Sequence, residues 1–342
     1  MSISFTHETL PQRVVFGAGS LGQLAAEVAR LGSEPMVIGD ELDVLPGAIH
    51  YREVAMHVPV EVAERARATA SAHGVDVLVS VGGGSTTGLA KAVALTSGLP
   101  IVAVPTTYAG SEATDVWGLT SGGRKTTGSD GRVLPRTVVY DAALTLTLPV
   151  DLSVASGLNA VAHCVDSMWA PRADPINQAL ALEGIRAMRS GLPQVVRDPT
   201  GIEGREQALY GAYLSAVAFA SAGSGLHHKI CHVLGGRFNL PHAQTHAVVL
   251  PHVLAFNAPS VPAVAQRVAS AFDASSAVDG LRRLRSSVDA PTALRDYGFQ
   301  ETDIPAAVEA ILPVVPPDNP TAVTAANLHE LLRHAWAGQE QR

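Results

Sequence analysis

Val77-Leu78-Val79-Ser80-Val81-Gly82-Gly83-Gly84-Ser85-Thr86-Thr87 reads as an apolar strand, a run of three glycines and the hydroxyl-rich start of a helix. Glycines at such a turn let the backbone approach a ligand closely, and the helix that follows offers its positive N-terminal end to phosphate. The next strand, Ile101–Val104, ends in Pro105-Thr106-Thr107-Tyr108-Ala109-Gly110-Ser111, again rich in small hydroxyl residues. Two neighbouring strand ends of this kind make the crevice in which open α/β sheets bind ligands. Gly82, Gly83, Gly84, Ser85, Thr106, Thr107 and Ser111 are therefore candidate contacts for a nucleotide cofactor.

Upstream and downstream of this stretch the pattern repeats. Val14–Phe16, Pro35–Gly39, Val75–Val81, Ile101–Val104 and Thr137–Tyr140 read as strands, and 23–31, 60–73 and 86–97 read as helices. This alternation predicts a Rossmann-like, doubly wound parallel sheet over residues 1–150. Beyond residue 150 the β-branched runs fade, and 152–170, 175–190, 206–222, 245–257, 261–271, 281–288, 304–312 and 325–337 read as helices. The expectation is an α/β nucleotide-binding domain, 1–150, followed by an all-helical catalytic domain, 151–342. Pro and Gly mark connections at Leu148-Pro149-Val150 and around Pro316-Pro317.

Composition excludes several function classes. Of 342 residues 47% are apolar and 16% charged, so a core is affordable and disorder is not indicated. Lys and Arg total 24 against 31 Asp and Glu, a net charge of -7 with no basic block, which argues against a nucleic-acid partner. Two cysteines, Cys164 and Cys231, rule out a disulfide framework and suit a reducing cytoplasm. The first residues lack the basic start and apolar run of a signal peptide. Residues 208–226 carry no charge, but their Gly, Ser and Ala content predicts a buried helix, not a membrane span.

A second glycine turn, Gly17-Ala18-Gly19-Ser20-Leu21-Gly22, fits G-x-G-x-x-G after the first strand, and competes for the pyrophosphate. Asp40, at the end of the next strand, sits where a carboxylate would meet the adenosine ribose and repel a 2′-phosphate, favouring NADH over NADPH. Six of the thirteen histidines fall in 227–252: His227, His228, His232, His242, His246 and His252. His228 and His232 share a face if their segment is helical. His163 stands upstream, with Asn159 one turn before it. Clustered imidazoles suit metal ligation or proton transfer near neutral pH.

Gly82-Gly83-Gly84-Ser85, Pro105-Thr106-Thr107, Asn159-x3-His163 and His228-x3-His232 with Pro241-His242 together resemble the iron-containing alcohol dehydrogenase family. Longer motifs resemble its maleylacetate reductase branch: Thr106–Glu112, Gly123–Gly128 with Arg132–Pro135, Leu226–His232 and Phe238–His246. The resemblance covers nearly the whole chain. It implies a nucleotide-binding domain, a helical domain and an active site in the cleft between them. It assigns the pyrophosphate to Gly82–Ser85, the ribose to Asp40, and a structural role to the Gly17–Gly22 turn. Metal-dependent members of the family use Asp, His, His and His, at positions matching Asn159, His163, His228 and His242 here. An amide at the first position removes the anionic ligand, so a metal-free site is expected. If an ion is bound, His163, His228 and His242 would hold it.

The activity implied is reduction of the carbon–carbon double bond of maleylacetate to 3-oxoadipate in aromatic-compound catabolism, chloromaleylacetates being further candidate substrates. His163, His228 and His242 would act as electrophiles and carboxylate binders, His232 beside the nicotinamide as proton donor, and Asn159 as an orienting amide. Tyr108, Arg124 and His246 are candidate substrate contacts and Lys125 a candidate cofactor contact. Lys229 and the two cysteines are read as packing or surface residues. A homodimer follows from the resemblance alone. The rival readings are a metal-dependent dehydrogenase of another small alcohol or oxo acid, a non-redox enzyme on the same scaffold, and a non-catalytic nucleotide-binding protein.

Overall fold

The computed structural model describes residues 4–39, 45–122 and 124–339, apart from the side chains of Arg124 and Lys125. The chain divides into two compact units, Thr9–Leu148 and Pro149–Arg342, the second joined by the chain's first residues up to Glu8. Those first residues thus group with the helical unit and not with the sheet, where the sequence places them. His7 shows why: its Nδ1 lies 2.7 Å from Asp174 Oδ2 in the helical unit.

In the first unit six strands form a parallel sheet: β1 (Arg13–Phe16), β2 (Pro35–Gly39), β3 (Ile49–Tyr51), β4 (Val77–Gly82), β5 (Ile101–Pro105) and β8 (Thr137–Tyr140), in the order β1-β8-β5-β4-β2-β3. β6 (Val116–Ser121) and β7 (Arg124–Ser129) form a separate antiparallel hairpin. The apolar runs are explained by burial on both faces. Met36, Ile38, Leu78 and Ile101 face one core with α2 (Val60–Ala72) and α3 (Gly84–Ser97). Val37, Val77, Val79, Val81, Val102, Val104 and Val139 face the other with α1 (Leu24–Ala29). Alternate residues of each strand thus serve opposite layers, as the two-residue strand period requires.

The strands expected from sequence all appear, but β3, β6 and β7 were not expected. The hairpin is half-exposed and rich in Thr, Ser and Gly, so no apolar alternation betrays it. Its register is fixed by Trp117, whose indole covers Gly128 so closely that a Cβ there would sit 2.8 Å from the ring. The helix expected over 23–31 is shorter: a 3-10 turn, Ser20–Gln23, precedes α1.

The second unit comprises α4 (Val150–Ser167), α5 (Pro175–Arg197), α6 (Ile202–Ala222), α7 (Leu226–Phe238), α8 (His242–Asn257), α9 (Pro262–Ala271), α10 (Ala277–Ser287), α11 (Ile304–Ile311) and α12 (Ala325–Ala337). α4 is buried along nearly its whole length. α5 and α6 pack glycine to glycine: a Cβ on Gly191 would meet Ala208 N at 2.8 Å, and one on Gly211 would meet Gly184 O at 3.1 Å. The uncharged stretch after residue 208 is this close-packed stripe, and among the described residues no helix is long and apolar enough to cross a membrane. α5 starts at a full capping box, Asp174 accepting from the Ile176 and Asn177 N–H groups. α7, absent from the sequence-predicted helices, carries the densest histidine run.

Candidate active site

The sheet's chain order reverses between β2 and β4, whose C-terminal residues are Gly39 and Gly82. Ligands of open α/β sheets bind at such a switch point. Only glycine fits at either end. Gly39 has φ +112°, and a Cβ would collide with the Val81 carbonyl oxygen. Gly82 has φ +149°, and its Cβ would lie 2.5 Å from Thr86 Oγ1. Gly83 precedes α3 without a side-chain cap, and a Cβ on it would meet Thr107 Cγ2 at 3.0 Å. The Thr106 N–H bonds Gly82 O at 3.1 Å. Gly82, Gly83, Gly84, Ser85, Thr106 and Thr107 therefore line one cradle, and its uncapped helix N-terminus fits a pyrophosphate. Ser111 accepts from Lys91 through its backbone oxygen, and Tyr108 is wholly buried. Asp40 lies outside the described residues, and Arg124 and Lys125 are placed only by their backbone in β7.

The Gly17–Gly22 turn is closed from within. The Ser20 hydroxyl donates to Tyr140 O, and the Leu21 N–H donates to Asp141 Oδ2 at 3.0 Å. A carboxylate already occupies the position a phosphate would need.

In the helical unit, α4, α7 and α8 bring six predicted histidines into one ring cluster, His227 among them at 5.0 Å from His228 and 4.9 Å from His246. His163 and His228 stack, centroids 4.8 Å apart at 11°. His228 reaches His246 at 4.9 Å and His232 at 6.1 Å, and His242 reaches His246 at 4.4 Å. His232 and His242 are exposed, whereas His163, His228 and His246 are buried. Phe219 of α6 lies against both His163 and His228, at 4.8 and 4.2 Å. Asn159 is buried one turn before His163, its Oδ1 without a partner. His246, expected at the substrate, has Nδ1 2.9 Å from His227 Nε2. His252 does not join the cluster; its electrostatic neighbours are Arg285 and His334.

Asp166 is the residue that sequence reasoning missed. Its Oδ2 lies 2.7 Å from His228 Nδ1 and accepts the Gly225 N–H at 2.8 Å. The signal was the spacing Asn159, His163, Asp166, i, i+4 and i+7, one face of a helix. Burial raises the Asp166 carboxyl to about 7 against the backbone N–H bonds of His228, Gly225 and His227. Burial, reinforced by the neighbouring His242, lowers His163 to about 3. Burial likewise takes His227 to about 3 and holds His228 and His246 well below the ordinary range. The inner rings are thus neutral at pH 7, and Asp166 fixes His228 with its proton on Nδ1.

Asn159 Oδ1, His163 Nδ1 and His228 Nε2 are buried polar atoms without partners. With a carboxylate behind His228, this donor set fits a divalent ion bound by neutral ligands.

His252 provides a separate test of buried neutral imidazole. Both ring nitrogens lack partners, and burial lowers its pKa to about 3. The unfolded chain takes up a proton below about 6.5 while the folded one does not until about 3, so stability falls as pH drops through that window. His252→Leu should remove about 1.4 kcal/mol of the stability lost between pH 7.5 and 5.5, read by urea unfolding at both pH values.

Comparison with known proteins identifies the chain. Residues 11–142 match the family description iron-containing alcohol dehydrogenase, and residues 153–336 match the Fe-containing alcohol dehydrogenase family, C-terminal. A maleylacetate reductase of Pseudomonas sp. strain P51 is 42% identical over 98% of this chain and 99% of its own. The crystal structure of an iron-containing alcohol dehydrogenase from Corynebacterium glutamicum superposes with a TM-score of 0.96, at 60% identity over 98% of each chain. That of maleylacetate reductase from Rhizobium sp. strain MTP-10005 gives 0.93, at 40% identity over 99% of each. The chain belongs to the iron-containing alcohol dehydrogenase family. Within it, this oxidoreductase falls in the maleylacetate reductase branch.

Proposed function

We propose that the protein reduces maleylacetate to 3-oxoadipate with NADH as donor. End-to-end identity of about 42% with maleylacetate reductases carries this reading. The Gly82–Ser85 cradle supports a dinucleotide cofactor, and Asp40 favours NADH over NADPH. NADH, when bound, supplies a hydride to the alkene carbon β to the ketone. The remaining work falls to the chain. As negative charge moves onto the ketone oxygen, imidazoles of His163 and His242 stabilise it by hydrogen bonding, whereas His228, its proton held on Nδ1 by Asp166, offers only an acceptor Nε2 and serves to position the stacked His163 ring. Asn159 orients the substrate through its amide, and the exposed imidazoles help to balance the two carboxylates. His232 delivers the proton to the α carbon, completing addition of one hydride and one proton across the double bond. A divalent ion would be held by His163, His228 and His242 and would supply Lewis acidity at the ketone oxygen. We place the enzyme in the cytoplasm as a homodimer acting on a small dicarboxylate, chloromaleylacetates included.

The test is NADH absorbance with freshly prepared maleylacetate, before and after chelation. Rapid oxidation that survives chelation is expected. Loss on chelation with recovery on zinc or iron would transfer the electrophile's role to an ion. No oxidation at all would remove maleylacetate as substrate.

A further inference from the structure

α7 presents two chelating ridges one residue apart. His228 and His232 form the ridge already described. His227 and Cys231 form the other, and it faces His246 in α8. His227 Nε2 is 2.9 Å from His246 Nδ1 and 3.7 Å from Cys231 Sγ, and all three donor atoms lie within 4.8 Å of one another. Tetrahedral zinc with bonds of about 2.05 Å to nitrogen and 2.3 Å to sulfur places its ligands about 3.3 Å (N···N) and about 3.6 Å (N···S) apart. The cluster is within a few tenths of an ångström of that geometry on its two closest edges.

We infer that His227, Cys231 and His246 form a thiolate-containing zinc site, separate from the ligand positions Asn159, His163, His228 and His242. Three further observations support it. All three residues are buried, at 1%, 2% and 0% exposure. Their remaining nitrogens, His227 Nδ1 and His246 Nε2, have no partner, so the cluster is not a satisfied hydrogen-bonded unit. The donor set is soft and borderline, which selects zinc over magnesium or calcium. Burial holds the Cys231 thiol well above its ordinary range, so the metal must displace its proton on binding. The zinc–thiolate unit then carries one positive charge, which the neighbouring Asp166 carboxyl can balance. Cys231 also restores an anionic ligand to a histidine cluster whose first family position, Asn159, has none. Because His246 touches both His228 and His242, zinc here would occupy the cluster and inhibit.

The test is cobalt(II) titration of chelator-treated full-length protein, read by absorbance without substrate. Expected is a single tight equivalent with tetrahedral visible bands and a near-ultraviolet sulfur-to-cobalt charge-transfer band. Cys231→Ser should abolish that band and weaken binding at least tenfold, and His246→Gln should weaken binding by a similar factor. Cobalt bound without the charge-transfer band, and lost in His163→Ala, would overturn the proposal in favour of the all-nitrogen positions. Retention of the band in Cys231→Ser, or no binding at micromolar cobalt, would overturn it as well. The readout does not depend on the substrate, so it stands or falls apart from the maleylacetate reading.

Discussion

Asp166→Asn should lower kcat for maleylacetate reduction about 100-fold, the scale seen when a carboxylate behind a working histidine is lost. The wild-type Oδ2 serves His228 Nδ1 and the Gly225 N–H together, and the backbone N–H of His228 at 3.4 Å. All three contacts fall on Oδ2 while Oδ1 has no partner, so the asparagine oxygen can keep the geometry, but the negative charge that polarises the His228 ring is lost. Cofactor KM should be unchanged, because the glycine cradle lies in the sheet unit, while the pH profile of kcat should shift. Steady-state kinetics across pH 5.5–9 with each substrate varied would separate this from a folding defect, which would lower the active fraction without changing the profile. An unchanged kcat would remove Asp166 from the mechanism.

Lys91→Met is expected to cost about 3 kcal/mol of stability, the upper end of the range for leaving buried polar groups without their hydrogen bonds. Lys91 is fully buried in α3, and its ammonium donates to Ser111 O at 2.6 Å, Thr114 O at 2.8 Å, Thr114 Oγ1 at 3.1 Å and Val116 O at 2.9 Å. Methionine keeps the stem and deletes every donor, leaving those oxygens buried without Lys91. Burial lowers the Lys91 pKa to about 7, against the pull of Glu112 and Asp115. Between about 7 and 10.5 the folded amine binds fewer protons than the unfolded one, so the wild type gains stability as pH rises through that window. The variant should lack this slope. Chemical denaturation at pH 7.5 and 9 checks both the loss and the slope.

Much of the fold was legible because its strands are buried on both faces and read as unbroken apolar runs. Thr137–Tyr140 is recovered residue for residue as β8, and Ala325–Ala337 as α12. The hairpin Val116–Ser121 with Arg124–Ser129 was not legible, since its order comes from Trp117 covering Gly128, a contact no local pattern announces. α7 was obscured because glycines and histidines dilute its apolar period. The histidines gathered as expected, except His252, which shares α8 with His246 but faces Arg285 and His334. Asp166 escaped notice because an acidic residue inside a helix declares its partner only when another helix is laid against it.

The grouping of the chain's first residues with the helical unit also bears on synthesis. His7 leaves the ribosome long before Asp174, its partner 167 positions later. The Thr9–Leu148 unit can complete its sheet while the remainder is still being translated, whereas the opening segment must stay undocked until α5 and α6 have been made. Closing so long a loop slows docking more than it weakens the finished contact. During refolding from denaturant, protection of the backbone around residues 4–8 should therefore be among the last to appear, after the parallel sheet is already resistant to exchange.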